Sequence, residues 1–156
     1  MNRKSVTPGS RYEALIGLLR TAENLWNASR VFFARWDLSP SQFNILNLLH
    51  DQPQGCTQIE LSRQLIMHRS NMTGLIDRLE SRGLVRRAEN SQDRRAFNVV
   101  LTPAGSKLIL QILPHYYAAA ETVWGDIPAP RARQIVSELS VVNVNAEQIS
   151  KTVSAK

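Results

Sequence analysis

Between Met72 and Gly105 the spacing of apolar residues changes from helical to strand-like and then back to helical. The first part predicts a helix with one apolar side, because four residues recur at i, i+3, i+4 and i+7: Met72, Leu75, Ile76 and Leu79. Gly83 is placed to stop that helix at its C′ position. Residues 85–88 and 97–101 have strand-like patterns, and they predict a β-hairpin whose long polar tip covers residues 89–95.

Two shorter helices are predicted before this region by their start signals. Ser39 and Thr57 are good N-caps, and each is followed three residues later by a glutamine or glutamate that completes a capping box. Pro40 occupies the first position of the earlier helix, which is expected to end before Pro53. The local order is therefore helix, short connection, helix, turn, helix and hairpin.

Longer apolar stripes flank this arrangement on both sides. From about residue 11 to residue 36, apolar residues recur at helical spacing over about seven turns. Thr102 and Pro103 start a fifth helix after the hairpin. Pro114 lies inside that helix and is expected to kink it or split it. A sixth helix follows a proline-rich break, with apolar positions at Ile135, Val136, Leu139, Val142 and Ile149.

The composition indicates a cytoplasmic, soluble protein, and its positive charge is only weak evidence for a nucleic-acid partner. The net charge is +6, with 15 arginines and only 4 lysines, and arginine forks suit phosphate oxygens and base edges. The only cysteine, Cys56, excludes an internal disulfide framework and fits a reducing compartment. A small apolar role is favoured for Cys56, with a redox role as the open alternative. No signal peptide and no membrane-spanning run is expected.

Two short helices, a tight turn and a hairpin together describe a winged helix-turn-helix, which binds double-stranded DNA through the second helix of the pair. The polar side of that helix offers donors and acceptors for base edges or phosphates: Arg69, Ser70, Asn71 and Thr73. Arg78 is a further phosphate candidate, as are Arg82, Arg86 and Arg87, with a solvated or ion-paired side chain as the competing interpretation of each. At the hairpin tip, Arg94 and Arg95 are placed to reach over the backbone, and one of them into a narrow minor groove.

From about Leu38 to Gly105 the chain resembles the MarR family of bacterial transcriptional regulators. The segment "RSNMTGLIDRLESRGLVRR" is similar to the family's recognition helix and the start of its wing. The segment "DRRAFNVVLTPAG" is similar to the family's D-x-R wing signature followed by L-T-x-x-G. The long first helix and the last two helices resemble the family's dimerisation region, so the likeness extends over nearly the whole chain.

This resemblance implies a mainly α fold with a small β-hairpin wing. It implies a winged helix-turn-helix at residues 38–103 and a helical dimerisation region at residues 1–37 and 104–156. The expected function is that of a ligand-responsive repressor that binds a pseudo-palindromic operator as a homodimer. Carried over by position, the DNA contacts are Ser70, Asn71, Thr73 and the tip residue Arg95, with Asp93 supporting the wing and Arg94 as a phosphate candidate.

Three positions depart from the family pattern, and all three bear on the operator sequence. Ile66 stands where glycine is frequent in the turn, His68 stands where serine often caps the recognition helix, and Gly74 removes one long polar side chain. The effector stays open, because the aromatic residues that suit a small-molecule cleft more often belong to a dimer core: Trp26, Trp36, Tyr116, Tyr117 and Trp124.

Two other classes of function fit the sequence less well. A winged helix used for protein contacts would have an apolar or acidic recognition surface, and here that surface is polar and basic. An enzyme would need a catalytic constellation or a glycine-rich phosphate loop, and the sequence shows neither. No cofactor or metal is expected, since the three histidines and the single cysteine do not share a ligand spacing.

Overall fold

The computed structural model describes residues 9–65, 72–90 and 96–154. It consists of six helices and three short strands within these residues: α1 (Ser10–Ala34), α2 (Pro40–His50), β1 (Cys56–Thr57), α3 (Gln58–Gln64), α4 (Met72–Ser81), β2 (Val85–Glu89), β3 (Phe97–Leu101), α5 (Pro103–Trp124) and α6 (Ala129–Ser154). The mainly helical fold with a small hairpin, expected from the sequence, is confirmed. None of these helices combines the length and the apolar character that crossing a bilayer requires.

The chain divides into two compact units, Met1–Gln111 and Ile112–Lys156. The first unit contains α1 to β3 and the start of α5, and the second contains the rest of α5 and α6. The assignment of residues 38–103 to DNA binding and of the flanking helices to dimerisation concerns function, and it stays a prediction.

The predicted start signals are confirmed by their hydrogen bonds. The Ser39 hydroxyl accepts from the Gln42 N–H at 3.2 Å, and the Gln42 side chain accepts from the Ser39 N–H at 2.8 Å. Thr57 and Glu60 make the same reciprocal pair at the start of α3. Each box satisfies two backbone groups that a helix end would otherwise leave without partners.

The sheet is antiparallel in the order β1-β3-β2, so the predicted hairpin is confirmed but has a third strand. The extra strand pairs Cys56 with Val99, and two residues are too few to produce a recognisable alternation in sequence. Gly55 precedes it with φ 73°, and a β-carbon at this position would collide with the Val99 carbonyl. Glycine therefore permits both the backbone conformation and the close approach of the two strands.

One apolar core in the first unit holds α4 in place. Phe33 of α1 stacks on Phe43 of α2 with ring centroids 4.1 Å apart. Further fully buried side chains of the first unit come from α2 itself and from α3, α4, β2 and α5: Ile45, Leu46, Leu49, Leu61, Ile76, Leu79, Val85 and Ile109. Burying a side chain of this size contributes about 1.5–3 kcal/mol, so the helix-turn-helix and the base of the hairpin share one stabilising core.

Helix α5 runs without a break through Pro114, so of the two expected effects of this proline the split is wrong, and the kink stays a prediction. Proline removes the N–H that would donate to the carbonyl of Leu110. Both residues lie on the exposed side of α5, where water can satisfy that carbonyl, and this lowers the cost of keeping the helix continuous.

Candidate nucleic-acid interface

Helix α4 has one buried side and one exposed side. Met72, Ile76 and Leu79 are 5%, 0% and 0% exposed, so the predicted apolar stripe anchors the helix to the core. Thr73 and Arg78 are exposed. The helix therefore presents polar side chains to solvent along its length, with its orientation fixed by the core.

Two of the eight site residues expected from the sequence lie in the described part of the chain, namely Thr73 and Arg78. The other six lie outside the described residues: Arg69, Ser70, Asn71, Asp93, Arg94 and Arg95. The departures at Ile66 and His68 also lie outside them. The described geometry consequently concerns the supports of the interface: α3, most of the predicted α4 and the base of the hairpin.

Thr73 is held by the helix before the turn. The Gln58 side-chain amide donates to the Thr73 hydroxyl oxygen at 2.6 Å, which leaves the Thr73 O–H as a donor. Gln58 was not identified from the sequence, because a contact between residues fifteen positions apart leaves no local pattern. This contact fixes the rotamer of Thr73 and joins the two helices of the helix-turn-helix on their exposed side.

Arg78 lies on the other flank of the exposed side of α4. Five positions separate it from Thr73, which is about 140° around a helix. Its guanidinium makes no hydrogen bond or ion pair with any of the residues that the structure describes. An unpaired, exposed guanidinium is available for a phosphate or a base edge.

Arg87 of β2 has the ion-paired role that the sequence left as an alternative. Its guanidinium donates to Asp77 of α4 at 2.6 Å and also to Glu80. The hydrogen bond to Asp77, together with the charges of both carboxylates, raises the pKa of Arg87 above its ordinary value. The side chain is 33% exposed, and it ties the hairpin base to α4 instead of offering a free cation.

Hydrogen bonds hold the start of α5 against the segment that ends α4. The Thr102 hydroxyl donates to the Gly83 carbonyl at 2.6 Å and accepts from the Gly105 N–H at 3.0 Å. Gly83 has φ 66°, a conformation that favours glycine. A β-carbon at Gly105 would collide with the Leu84 carbonyl. The segments "RGL" and "LTPAG" are thus two halves of one joint between α4, the hairpin and α5.

Cys56 is buried, which agrees with the small apolar role favoured from the sequence. It is 1% exposed and donates its thiol to Gln52 Oε1 at 2.7 Å. Burial raises the pKa of the Cys56 thiol, and the neighbouring Glu60 carboxylate raises it further. A raised pKa lowers the thiolate fraction, which is the reactive form.

Comparison with known proteins agrees with this geometry. The sequence profile of the MarR family matches residues 38–97. The HTH-type transcriptional regulator FarR of Neisseria gonorrhoeae is 30% identical over 130 residues, which cover 81% of this chain and 88% of FarR. The HTH-type transcriptional repressor YetL of Bacillus subtilis (strain 168) is 28% identical over 112 residues, covering 71% of this chain and 67% of YetL.

A solved structure has the same fold. BpsR of Bordetella bronchiseptica superimposes with a TM-score of 0.75 at 25% identity, covering 88% of this chain and 98% of BpsR. The work on BpsR concerns the regulation of its DNA binding by 6-hydroxynicotinic acid. FarR and YetL are regulators of transcription.

Proposed function

Because this chain belongs to the MarR family of transcriptional regulators, we propose that it is a ligand-responsive repressor that binds a pseudo-palindromic operator as a homodimer. In this proposal α4 is the recognition helix and the hairpin is the wing. The observation that carries it is the two-sided character of α4, which is anchored by buried apolar residues and exposes Thr73 and Arg78.

Sequence-specific DNA binding is tested first with DNA from the protein's own upstream region. Because a basic recognition surface displaces counterions from phosphates, the affinity is expected to fall steeply as salt rises. Fluorescence anisotropy with the upstream duplex and with a scrambled duplex of equal length measures both specificity and salt dependence. Equal affinity for the two duplexes would refute sequence-specific binding, and no binding at all would favour a protein-interaction role.

Homodimerisation is supported by apolar residues that a single chain leaves exposed. In the first unit, Tyr12, Leu15 and Leu19 are exposed and lie within about 60° of one another around α1, so they form one stripe. In the second unit, α6 also exposes apolar residues, which are spread around more than one side of the helix: Val136, Val141, Val142, Val144 and Ile149. Monomeric proteins rarely expose large apolar patches, and such patches mark interfaces.

Light scattering is expected to give twice the chain mass for the wild type. Leu19→Glu places a charge on the apolar side of α1 and is expected to shift the protein towards monomer. Ile59→Glu is the matched control, because Ile59 is 63% exposed on α3 and lies outside both apolar helices. A monomeric wild type, or equal effects of the two substitutions, would contradict this interface.

A cleft in the first unit supports the response to a ligand. It lies between α1 and the start of α2, has a volume of about 470 Å³, and includes Trp26 and Arg30 in its lining. Its size is within the usual range for small-molecule sites. An indole ring beside a guanidinium suits an aromatic anion, because the ring can stack while the guanidinium pairs with a carboxylate.

Calorimetric titration with 6-hydroxynicotinic acid and with benzoic acid tests this cleft. Arg30→Ala is expected to weaken binding, while Arg20→Ala, which removes an exposed arginine of α1 outside the cleft, should have no effect. Binding that is unchanged by Arg30→Ala would place the effector elsewhere.

Repression is supported by the relative YetL, which is a repressor. A reporter gene behind the selected operator distinguishes the two signs of regulation. Expression of this protein should lower the reporter signal, and a raised signal would identify an activator.

A further inference from the structure

One side chain joins the end of the recognition helix to the turn that follows α1. Arg82, the residue after α4, donates through Nη2 to the Trp36 carbonyl at 3.1 Å and through Nη1 to the Asp37 carbonyl. The two ends are more than forty residues apart in sequence. A guanidinium is a planar fork, so its two donors can hold two consecutive carbonyls only in one relative orientation.

The turn after α1 is shaped to present these carbonyls. The Leu38 N–H donates to the Phe33 carbonyl at 3.2 Å, and the Asp37 N–H donates to the Ala34 carbonyl at 3.0 Å. Asp37 has φ 52°, the left-handed conformation that usually belongs to glycine at a helix end. The chain then enters α2 through the Ser39 cap, so the position of the turn is fixed on both sides.

The acceptors belong to the backbone, and the Asp37 carboxylate has a minor part. Its distance to Arg82 is 3.8 Å, and the Asp37 side chain is 95% exposed, whereas that of Arg82 is 31% exposed. Exposed ion pairs of this kind contribute little. The position of Arg82 is therefore set by the two backbone carbonyls that follow α1, and not by the charge of the Asp37 side chain.

The two ends joined by Arg82 belong to the two halves of the proposed function. Helix α1 carries exposed apolar residues that the proposed dimer would cover, and α4 carries the residues proposed to contact DNA. Two neighbouring clefts also meet at this joint. The α1–α2 cleft and a smaller one of about 320 Å³ beside Arg82 share three residues: Asp37, Ser39 and Gln42.

We propose that Arg82 is a positioning residue that fixes α4 relative to α1 and thereby sets the half-site spacing that the dimer accepts. This inference rests on the proposed DNA-binding homodimer. A dimer held together through α1 carries two copies of α4, and these must lie about one helical turn of DNA apart. If α4 swings relative to α1, the two copies no longer match a single spacing. Substituting Arg82 therefore relaxes the choice of spacing while each recognition helix still reads its own half-site.

The test uses the full-length protein and duplexes derived from the operator that it selects. Central base pairs are removed or added to give spacings of −1, 0, +1 and +2 relative to that operator, and one duplex carries a single half-site. For wild type, affinity should fall sharply away from spacing 0. For Arg82→Ala, this spacing penalty should shrink by at least about fivefold, the lower end of typical coupling between sites, while the half-site affinity stays unchanged.

Two further variants distinguish the effect of the Arg82 hydrogen bonds to the Trp36 and Asp37 carbonyls from effects of charge and of folding. Arg82→Lys keeps the charge but replaces the rigid planar fork with a compact ammonium on a flexible stem, whose donors do not fix one orientation. It should therefore relax spacing as Arg82→Ala does, and it serves as the test variant if alanine prevents folding. Asp37→Asn removes the carboxylate and keeps both carbonyls, so it should retain the wild-type spacing preference.

The outcomes are distinct. An equal loss of affinity on every duplex, together with a lowered melting temperature, would show a purely structural role and overturn the proposal. Wild-type spacing selectivity in Arg82→Ala or in Arg82→Lys would also overturn it. A wild-type protein that binds none of the duplexes would overturn the proposed DNA-binding function itself, which is a different result from either of these.

Discussion

Replacing Arg78 by alanine isolates one proposed contact between the recognition helix and DNA. Its guanidinium is exposed and has no partner among the described residues, so its removal leaves no buried group unsatisfied. The free energy of unfolding should therefore stay within about 0.5 kcal/mol of wild type. If Arg78 neutralises one phosphate, the slope of log K against log salt concentration should become shallower by about 0.9.

That slope gives a magnitude that can be checked across salt concentrations. Between 50 and 200 mM salt, a change of about 0.9 in slope alters the ratio of wild-type to variant affinity by about 3.5-fold. The variant should thus be impaired most at low salt and approach wild type as salt rises. A residue that reads a base edge would instead cost about 1–3 kcal/mol on the cognate site and relax sequence preference there.

Fluorescence anisotropy with the labelled operator at four salt concentrations measures the slope, and urea denaturation measures stability. Arg78→Lys should keep the wild-type slope, because lysine still neutralises a phosphate. Arg20→Ala removes the same charge from an exposed position of α1 and should also leave the slope unchanged. A wild-type slope and affinity in Arg78→Ala would refute the placement of this flank of α4 against the DNA backbone.

Three further outcomes are expected. Gly105→Ala should destabilise the protein by about 1–3 kcal/mol in urea denaturation, because its β-carbon would collide with the Leu84 carbonyl; a stabilised variant would contradict the close approach. Arg87→Ala should lower stability by about 1 kcal/mol, a value reduced for partial exposure, since it leaves two carboxylates of α4 without their cation. Arg86→Ala is the control, because Arg86 is an exposed neighbour whose guanidinium has no partner among the described residues. Equal losses of stability in the two variants would argue against the ion pair. Cys56 should react with a thiol reagent at pH 8 far more slowly in the folded protein than in urea, because burial raises its thiol pKa; fast labelling of the folded protein would reopen a redox role.

Among the residues of the candidate site, the sequence identified those whose roles depend on their own helix. The exposure of Thr73 and Arg78 follows from the apolar stripe of α4, because a helix with one buried side must expose the opposite one. The partners of Thr73 and Arg87 did not follow. Gln58 reaches Thr73 across the turn between two helices, and the choice of Arg87 over Arg86 as the ion-paired residue depends on which face of β2 meets α4.

The sequence alone determined the starts of α2 and α3 and the end of α4. The capping boxes at Ser39 and Thr57 and the stop at Gly83 are formed by residues three or four positions apart, and local chemistry decides them. Only the tertiary structure decided that β1 pairs with β3 and that Arg82 holds the end of α1. These features depend on distant segments that meet only after the core has packed, and no spacing along the chain encodes such a meeting.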